Sequence, residues 1–183
     1  MAANFTVKID KADVERRLGN LKSKAPTVIA RALNDTAKRA RQRLAQKAQQ
    51  TYTVKIGGFT STMKIKRATA GNLDASIDSS GEPLSITRFS YKTSRSIGAS
   101  AEIIKGHGFK TLEEGGIKAF KSASLHGNIF RRYGSPRLPI KKQFGPSVPK
   151  MIESDKYVYG VLKPVIQSDL NASLSKEIAK LVG

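Results

Sequence analysis

Two histidines, His107 and His126, and one adjacent pair of glutamates, Glu113 and Glu114, are the residues whose types could move protons or hold a metal. Such chemistry needs a positioned base, nucleophile or metal ligand set. Each histidine lies in a glycine-flanked loop signal, and no third ligand stands at metal spacing, so a plain surface histidine is the better reading of both. Adjacent residues in a strand or helix point apart, so Glu113 and Glu114 do not make one shared site. The stretch "GHGFK" at 106–110 lacks both the spacing of a phosphate loop and a following apolar helix, and no serine sits in a G-x-S-x-G elbow. The chain has no cysteine, which removes disulfides, thiolate nucleophiles and cysteine-ligated zinc together. The sequence predicts a protein that is not an enzyme and carries no cofactor or metal.

Polyanion chemistry is better represented. The formal charge is +19, with 33 basic against 14 acidic residues. By segment the balance is 16 against 4 over residues 1–70, 7 against 6 over 71–130, 6 against 0 over 131–150 and 4 against 4 over 151–183. Two cationic zones thus flank a nearly neutral middle. Clustered Lys and Arg bind polyanions through counterion release, and they also serve as a solvated, solubilising face; charge alone ranks the two readings equally. Basic and aromatic residues interleave at Arg88, Phe89, Tyr91 and Lys92 and at Phe130, Arg131, Arg132 and Tyr133. With no tryptophan and 7% aromatics, a strand with one aromatic face in the core is a better reading than a base-stacking platform.

The densest cationic stretch is "RRYGSPRLPIKKQFGPSVPK", residues 131–150, which holds four of the seven prolines. Tyr133, Leu138, Ile140, Phe144 and Val148 recur through it, and a disordered tail has no need of such anchors. Each proline fixes its own φ and biases its predecessor toward extended backbone. The segment is expected to be a rigid, extended, partly buried arm that docks through Arg131, Arg132, Arg137, Lys141 and Lys142. Arg39 and Arg43, from the first long helix, are expected to join these docking cations.

The elements that must position these residues are legible in the periodicity. "NFTVKID" alternates Phe5, Val7 and Ile9 as a strand with one buried face, and Asp10 caps a helix carrying Val14, Leu18 and Leu21. From Pro26 the series Ile29, Leu33, Ala37, Ala40, Leu44 and Ala48 makes a narrow apolar stripe, predicting a helix over 27–50. Its other faces carry Arg31, Lys38, Arg39, Arg41, Arg43 and Lys47, which an ordinary solvated helix explains slightly better than a dedicated nucleic-acid helix. Met63 and Ile65, then Leu73, Ala75 and Ile77, then Leu84 and Ile86, then Ile97, Ala99, Ala101 and Ile103 keep a period of two, with turn signals at 70–72, 79–83, 92–96 and 105–108. Residues 109–130 give mixed signals and are read as a loop returning as a strand near Ile129. Val158, Leu162, Val165, Leu170, Leu174, Ile178 and Leu181 then space a helix from about Ser154 to Val182, with Gly160 and Pro164 disturbing its first turns. The expected fold is α+β over one domain, residues 1–183. A long N-terminal helix and a C-terminal helix pack on a mostly antiparallel sheet of four to six strands, with the extended Pro-rich basic arm at 131–150. The opening residues lack the apolar core of a signal peptide, and no run approaches a membrane span; a soluble, intracellular chain that meets no membrane is expected.

One further stretch, "IFRRYGSPRLPIKKQFGPSVPKM" at 129–151, resembles the minor tail protein Z family of long-tailed phages and prophages, also described as tail completion proteins. Arg132, Arg137, Leu138, Pro139, Ile140, Gly145, Pro146, Ser147 and Pro149 carry the likeness. "IARALNDTAKRARQRLAQKAQQTYTVK" at 29–55 is similar to that family's N-terminal helix with its "ALN-x-T" start, whereas "TVKIGGFTSTMKI" departs from the helical or charged connector expected next. The resemblance implies a structural tail component without catalytic residues. It would lie near the tail end or head-tail junction of the virion, be assembled in the host cytoplasm, and dock on other tail or neck proteins, with a homo-oligomeric ring and contact with DNA among its implied arrangements. The alternative is a basic nucleic-acid-binding protein that is not part of a virion. Whether the basic arm meets acidic protein or DNA is left open by the residues themselves.

Overall fold

Seven alanines lie buried along one helix, Ala25, Ala30, Ala32, Ala37, Ala40, Ala45 and Ala48, together with Val28, Ile29, Leu33 and Leu44. Small side chains let neighbouring elements approach the helix closely, while its straight-chain Lys, Arg and Gln residues keep it helical where it faces water. The structure, a computed structural model, describes residues 2–6, 9–55 and 58–182. Its elements in order are β1 (Ala2–Thr6), α1 (Lys11–Leu18), α2 (Ala25–Thr51), β2 (Met63–Lys66), β3 (Ser76–Ser80), β4 (Pro83–Ser85), β5 (Ser90–Ser94) and β6 (Gly98–Glu102). There follow β7 (Lys110–Thr111), β8 (Glu113–Glu114), β9 (Ile117–Lys118), β10 (Phe120–Lys121), β11 (Ile129–Arg132), β12 (Ile140–Lys142), β13 (Phe144–Ser147), α3 (Val148–Ile152) and α4 (Tyr159–Val182).

The fold is α+β, and its strands divide among several antiparallel sheets of two or three strands. Helix α2 packs along α4 and over the sheet of order β1-β3-β2. The predicted N-terminal elements are present. Asp10 caps α1, its Oδ1 accepting from Ala12 N at 2.9 Å, and Pro26 sits in the first turn of α2. Val7 lies outside the described residues, and Ile9 falls beyond β1 in the connection to α1. In the three-stranded sheet Asp78 accepts from Asn4 at 2.7 Å and lies 2.8 Å from Lys66 Nζ, so one carboxylate ties all three strands. The Lys66 ammonium holds the Asp78 carboxyl below its ordinary range.

The remaining strands form a β lobe. β5, β6 and β7 make one sheet, β10, β11 and β12 a second, β13 and β4 a third, and β8 and β9 a short hairpin. Backbone bonds stitch these pieces: Ala99 N donates to Ala119 O at 2.7 Å, Gln143 N to Ile129 O at 2.9 Å and Ile86 N to Gln143 O at 3.1 Å. Strand β11 does begin at Ile129 as expected, but the connection before it carries β7 to β10 rather than a plain loop. Their two-residue length and the glycine turn at Gly115 and Gly116, with φ of 58° and 75°, leave no period for a sequence pattern to show. Ile97 is displaced from its expected strand into the turn before β6 and is exposed, while Ala99 and Ala101 keep the buried alternation.

The connector after α2 joins the two regions. Thr53 N donates to Ile103 O at 3.0 Å and Lys55 N to Arg88 O at 2.7 Å; Thr53 Oγ1 accepts from Ser90 N at 3.2 Å and donates to Glu102 O. Threonine at this point is useful because its hydroxyl bonds two strands at once. The buried apolar side chains run as one cluster from Ala3 and Ile77 through α2 and α4 to Phe59, Phe89, Ala99 and Ile129. At α4 the expected irregularity is present: the helix starts at Tyr159 with Pro164 inside it, after a turn in which Val158 N donates to Ser154 O at 2.9 Å.

Two measurements check this packing. Tyr52 is buried, and burial raises its phenol above the ordinary 10.0, reinforced by Tyr157 and opposed by a hydrogen bond with Ser154. Stability linked to the neutral phenol is therefore whole below pH 10.0 and is lost as pH rises through the folded value. Absorbance titration of the wild type against Tyr52→Phe should assign to Tyr52 an ionisation above the ordinary 10.0; a Tyr52 ionisation at or below that value would contradict the packing. A Cβ at Gly145 would lie 2.5 Å from the ring of Phe89, which is fully buried. Gly145→Ala should cost about 1–3 kcal/mol in denaturant unfolding, the ordinary penalty of overpacking.

Candidate docking surface

Of the cations singled out in the sequence, Arg39 and Arg43 on α2 are used inside the molecule. Arg43 lies 2.8 Å from Asp169 through Nε and donates from Nη2 to its other oxygen at 3.2 Å, a two-point contact between α2 and α4. Arg39 donates to Ser173 Oγ at 2.7 Å, Thr36 Oγ1 to Ala32 O at 2.8 Å and Ser173 Oγ to Asp169 O at 2.8 Å. Farther along, Glu177 is buried between Arg31, at 4.0 Å, and Lys180. Arg39 and Arg43, expected among the docking cations, are thus bonded within the molecule, where both join α2 to α4.

Residues 131–150 take a different form from a single arm. Arg131 and Arg132 end β11, residues 133–139 turn back, β12 pairs Ile140 with Arg132, and β13 leads into α3. The Leu138–Pro139 peptide in the turn is cis. Ser147 caps α3, its hydroxyl accepting from Lys150 N at 3.5 Å, with a proline in the helix's first turn. Backbone pairing holds the segment, with two of the five regularly spaced anchors. Val148 is buried and Ile140 half-buried, but Tyr133, Leu138 and Phe144 are 61%, 67% and 53% exposed. Their expected burial against the chain's own core is corrected: the turn carries Tyr133 and Leu138 beyond the sheet, and Phe144 opens β13 with its side chain exposed.

The cations of this segment also divide. Arg131 alternates inward with Ile129, is buried, and pairs with Glu114. Arg132, Arg137 and Lys141 are exposed. The Arg132 guanidinium stands 5.9 Å from the Phe120 ring and Lys142 Nζ 5.6 Å from the Phe144 ring. The hairpin tip therefore offers Tyr133, Arg137 and Leu138 together, with Arg132 and Lys141 at its base.

The residues with proton or metal chemistry are placed apart. His107 meets Tyr157 edge-on at 5.7 Å, while Glu102 accepts from Gly106 N and Gly108 N in the same turn. His126 follows a 3-10 turn in left-handed backbone, and Glu113 lies opposite Lys118 in the β8–β9 register. Among the described residues no group of three or more His, Asp or Glu could hold a metal, and no helix is long and apolar enough to cross a membrane.

A family model described as prophage minor tail protein Z matches residues 10–182. The chain belongs to the prophage minor tail protein Z family. No curated protein and no solved structure matches it. Membership makes it a structural component of a phage tail, located in the tail of the virion, where its contacts are with other tail proteins.

The stretches that carried the resemblance have structural work in this minor tail protein. In "ALN-x-T", Asn34 donates to Ala68 O at 2.9 Å and accepts from Ala68 N at 2.9 Å, clamping a neighbouring loop, while Thr36 bonds back along α2. In "GPSVP", Gly145 passes under Phe89 and Ser147 starts α3. Sequence reading missed Arg95, Lys118 and Lys121, which line an open groove of about 540 Å³ with Thr93, Ser94 and Phe120. The signal for Lys118 and Lys121 was the absence of any Asp or Glu from 115 to 152, a longer span than residues 131–150, and for Arg95 the same absence from 83 to 101.

If Arg43 serves the helix pair, a double-mutant cycle of Arg43→Ala and Asp169→Ala should give a coupling of about 0.5–1 kcal/mol in unfolding free energy. A coupling near zero would return Arg43 to the docking cations.

Proposed function

We propose that this minor tail protein completes the tail by docking its β11–β12 hairpin tip onto a neighbouring tail or neck protein, near the tail end or head-tail junction. The observation that supports this is the exposure of Tyr133 and Leu138 beside Arg137 on an ordered turn. A solvated tip gains nothing from large apolar groups, whereas tyrosine, arginine and leucine together suit a partially apolar protein surface with acidic rim residues. Phosphate would leave the tyrosine and leucine wet, so protein is the favoured partner of the tip. Arg132, Lys141 and Lys142 add attraction around it. Arg131, buried and paired with the exposed Glu114, sets the hairpin's position and takes no direct part.

In this reading the chain acts as one unit over residues 1–183, folds in the host cytoplasm and enters the tail late, as several copies around the tail axis. The continuous apolar cluster supports the single unit. Short strands with lysines on the outer edge of the three-stranded sheet, Lys64 and Lys66 on β2, are suited to neighbours that meet through side chains rather than by strand addition.

The test is Tyr133→Ser with Leu138→Ser, introduced into the phage or prophage. Both side chains are mostly exposed, so thermal unfolding of the purified variant should be unchanged. Infectious-particle yield should fall by at least about tenfold, the equivalent of about 1.4 kcal/mol of docking energy. Normal yield with normal incorporation into purified tails would reject the proposal. Replacing Arg132, Arg137, Lys141 and Lys142 by Gln should act in the same direction.

A further inference from the structure

Residues 83–101 contain Arg88, Lys92 and Arg95 and no carboxylate; residues 115–152 contain Lys118, Lys121, Arg131, Arg132, Arg137, Lys141, Lys142 and Lys150 and again none. The fold brings these acid-free stretches together. β5 pairs with β6, the start of β6 bonds to Ala119, and β10, β11 and β12 continue outward. Of these eleven cations only Arg131 has a carboxylate within ion-pair distance among the described residues. Helix α2, by contrast, is partly neutralised by α4.

The groove between the β5–β6 turn and the 118–121 strand is the concave part of this cationic lobe. A Cβ on Gly98 would lie 2.8 Å from Lys118 Cβ and 2.9 Å from Ala119 O, so backbone closes its floor. Lys118 Nζ is held by Ser96 O at 3.0 Å and Lys121 Nζ by the Tyr91 hydroxyl at 2.8 Å, and each ammonium keeps further donors free. Arg95 has no partner among the described residues, and Thr93 and Ser94 add hydroxyls beside it.

We infer that this groove takes the phosphate backbone of duplex DNA, without sequence preference, at a site separate from the hairpin tip. The aromatic rings at and beside the groove already have cations over them: Arg132 at 5.9 Å from Phe120, Lys121 at 5.1 Å from Tyr91 and Lys92 at 4.3 Å from Phe109. They do not offer bare faces for stacking bases, which separates this surface from a single-strand platform. Among the described residues no α-helix lines the groove to enter a major groove, and the lining has no Asn or Gln to pair with base edges. What remains is a set of positive, hydroxyl-flanked donors, the chemistry of phosphate contact and counterion release.

The experiment is fluorescence anisotropy of the full chain with a short duplex of mixed sequence over a salt series. Arg95→Gln, Lys118→Gln and Lys121→Gln are combined in one variant, and Lys22→Gln, Lys24→Gln and Lys176→Gln, exposed cations elsewhere, in a charge-matched control. Removing one phosphate-binding cation lowers the log–log salt slope by about 0.9, so the groove variant should fall about 2.7 below the wild-type slope. The control should change little, the single-stranded form should bind no more tightly than duplex, and polyglutamate of equal charge should compete poorly. Equal reductions in both variants, an unchanged slope in the groove variant, or a preference for the single strand would overturn the inference. Competition by polyglutamate as strong as that of DNA would reassign the groove to an acidic protein. Circular dichroism melting of both variants shows that each is folded, and particle yield with Tyr133→Ser and Leu138→Ser reads the tip independently.

Discussion

The rest of the structure depends on how closely α2 can be approached. Its buried alanines place little between the helix backbone and its neighbours, so α4 and the three-stranded sheet both reach it, and the few large residues, Ile29, Leu33 and Leu44, fill what is left. A chain with 39% hydrophobic residues cannot build a thick core, and a small-residue helix makes a thin one sufficient. From its end the chain passes directly into the β lobe, where Thr53 and Lys55 bond to strands on either side. The position of the lobe therefore follows from where α2 ends.

Charge follows the same division. Helix α4 carries Asp169 and Glu177 where they meet arginines of α2, so the most cationic third of the sequence is partly satisfied by the last. The β lobe has no such counterpart. Among the described residues its one ion pair joins the buried Arg131 to the exposed Glu114, and most of the remaining cations face water. The chain thus separates two uses of basic residues: joining helices in one region, and presenting a positive surface in the other.

Much of this is legible in the sequence. The 3.6-residue stripe of α2, the Asp10 cap and the alternation of Ala99 and Ala101 are local patterns that tertiary packing preserves. The family can be read from residues 129–151 because Gly145, Ser147 and Pro149 answer strict steric demands, under Phe89 and at a helix start. The lobe strands of two residues are not legible, since no period exists at that length. Nor is the fate of individual cations: Arg43 and Lys141 look alike by residue type, and only the fold reveals that one has Asp169 beside it. Averaging charge over 71–130 also conceals two acid-free stretches separated by Glu102, Glu113 and Glu114.

The unneutralised lobe has a consequence for the free subunit. The like charges that the lobe holds without a carboxylate in ion-pair distance repel one another, and among the described residues only hydrogen bonds and ring contacts relieve them. Dilute, low-salt conditions leave that repulsion at its fullest, while mobile ions shorten its range to about 8–10 Å at physiological ionic strength. A polyanion or an acidic neighbour removes it locally, so the subunit is electrostatically most at ease only once it has been built into something larger.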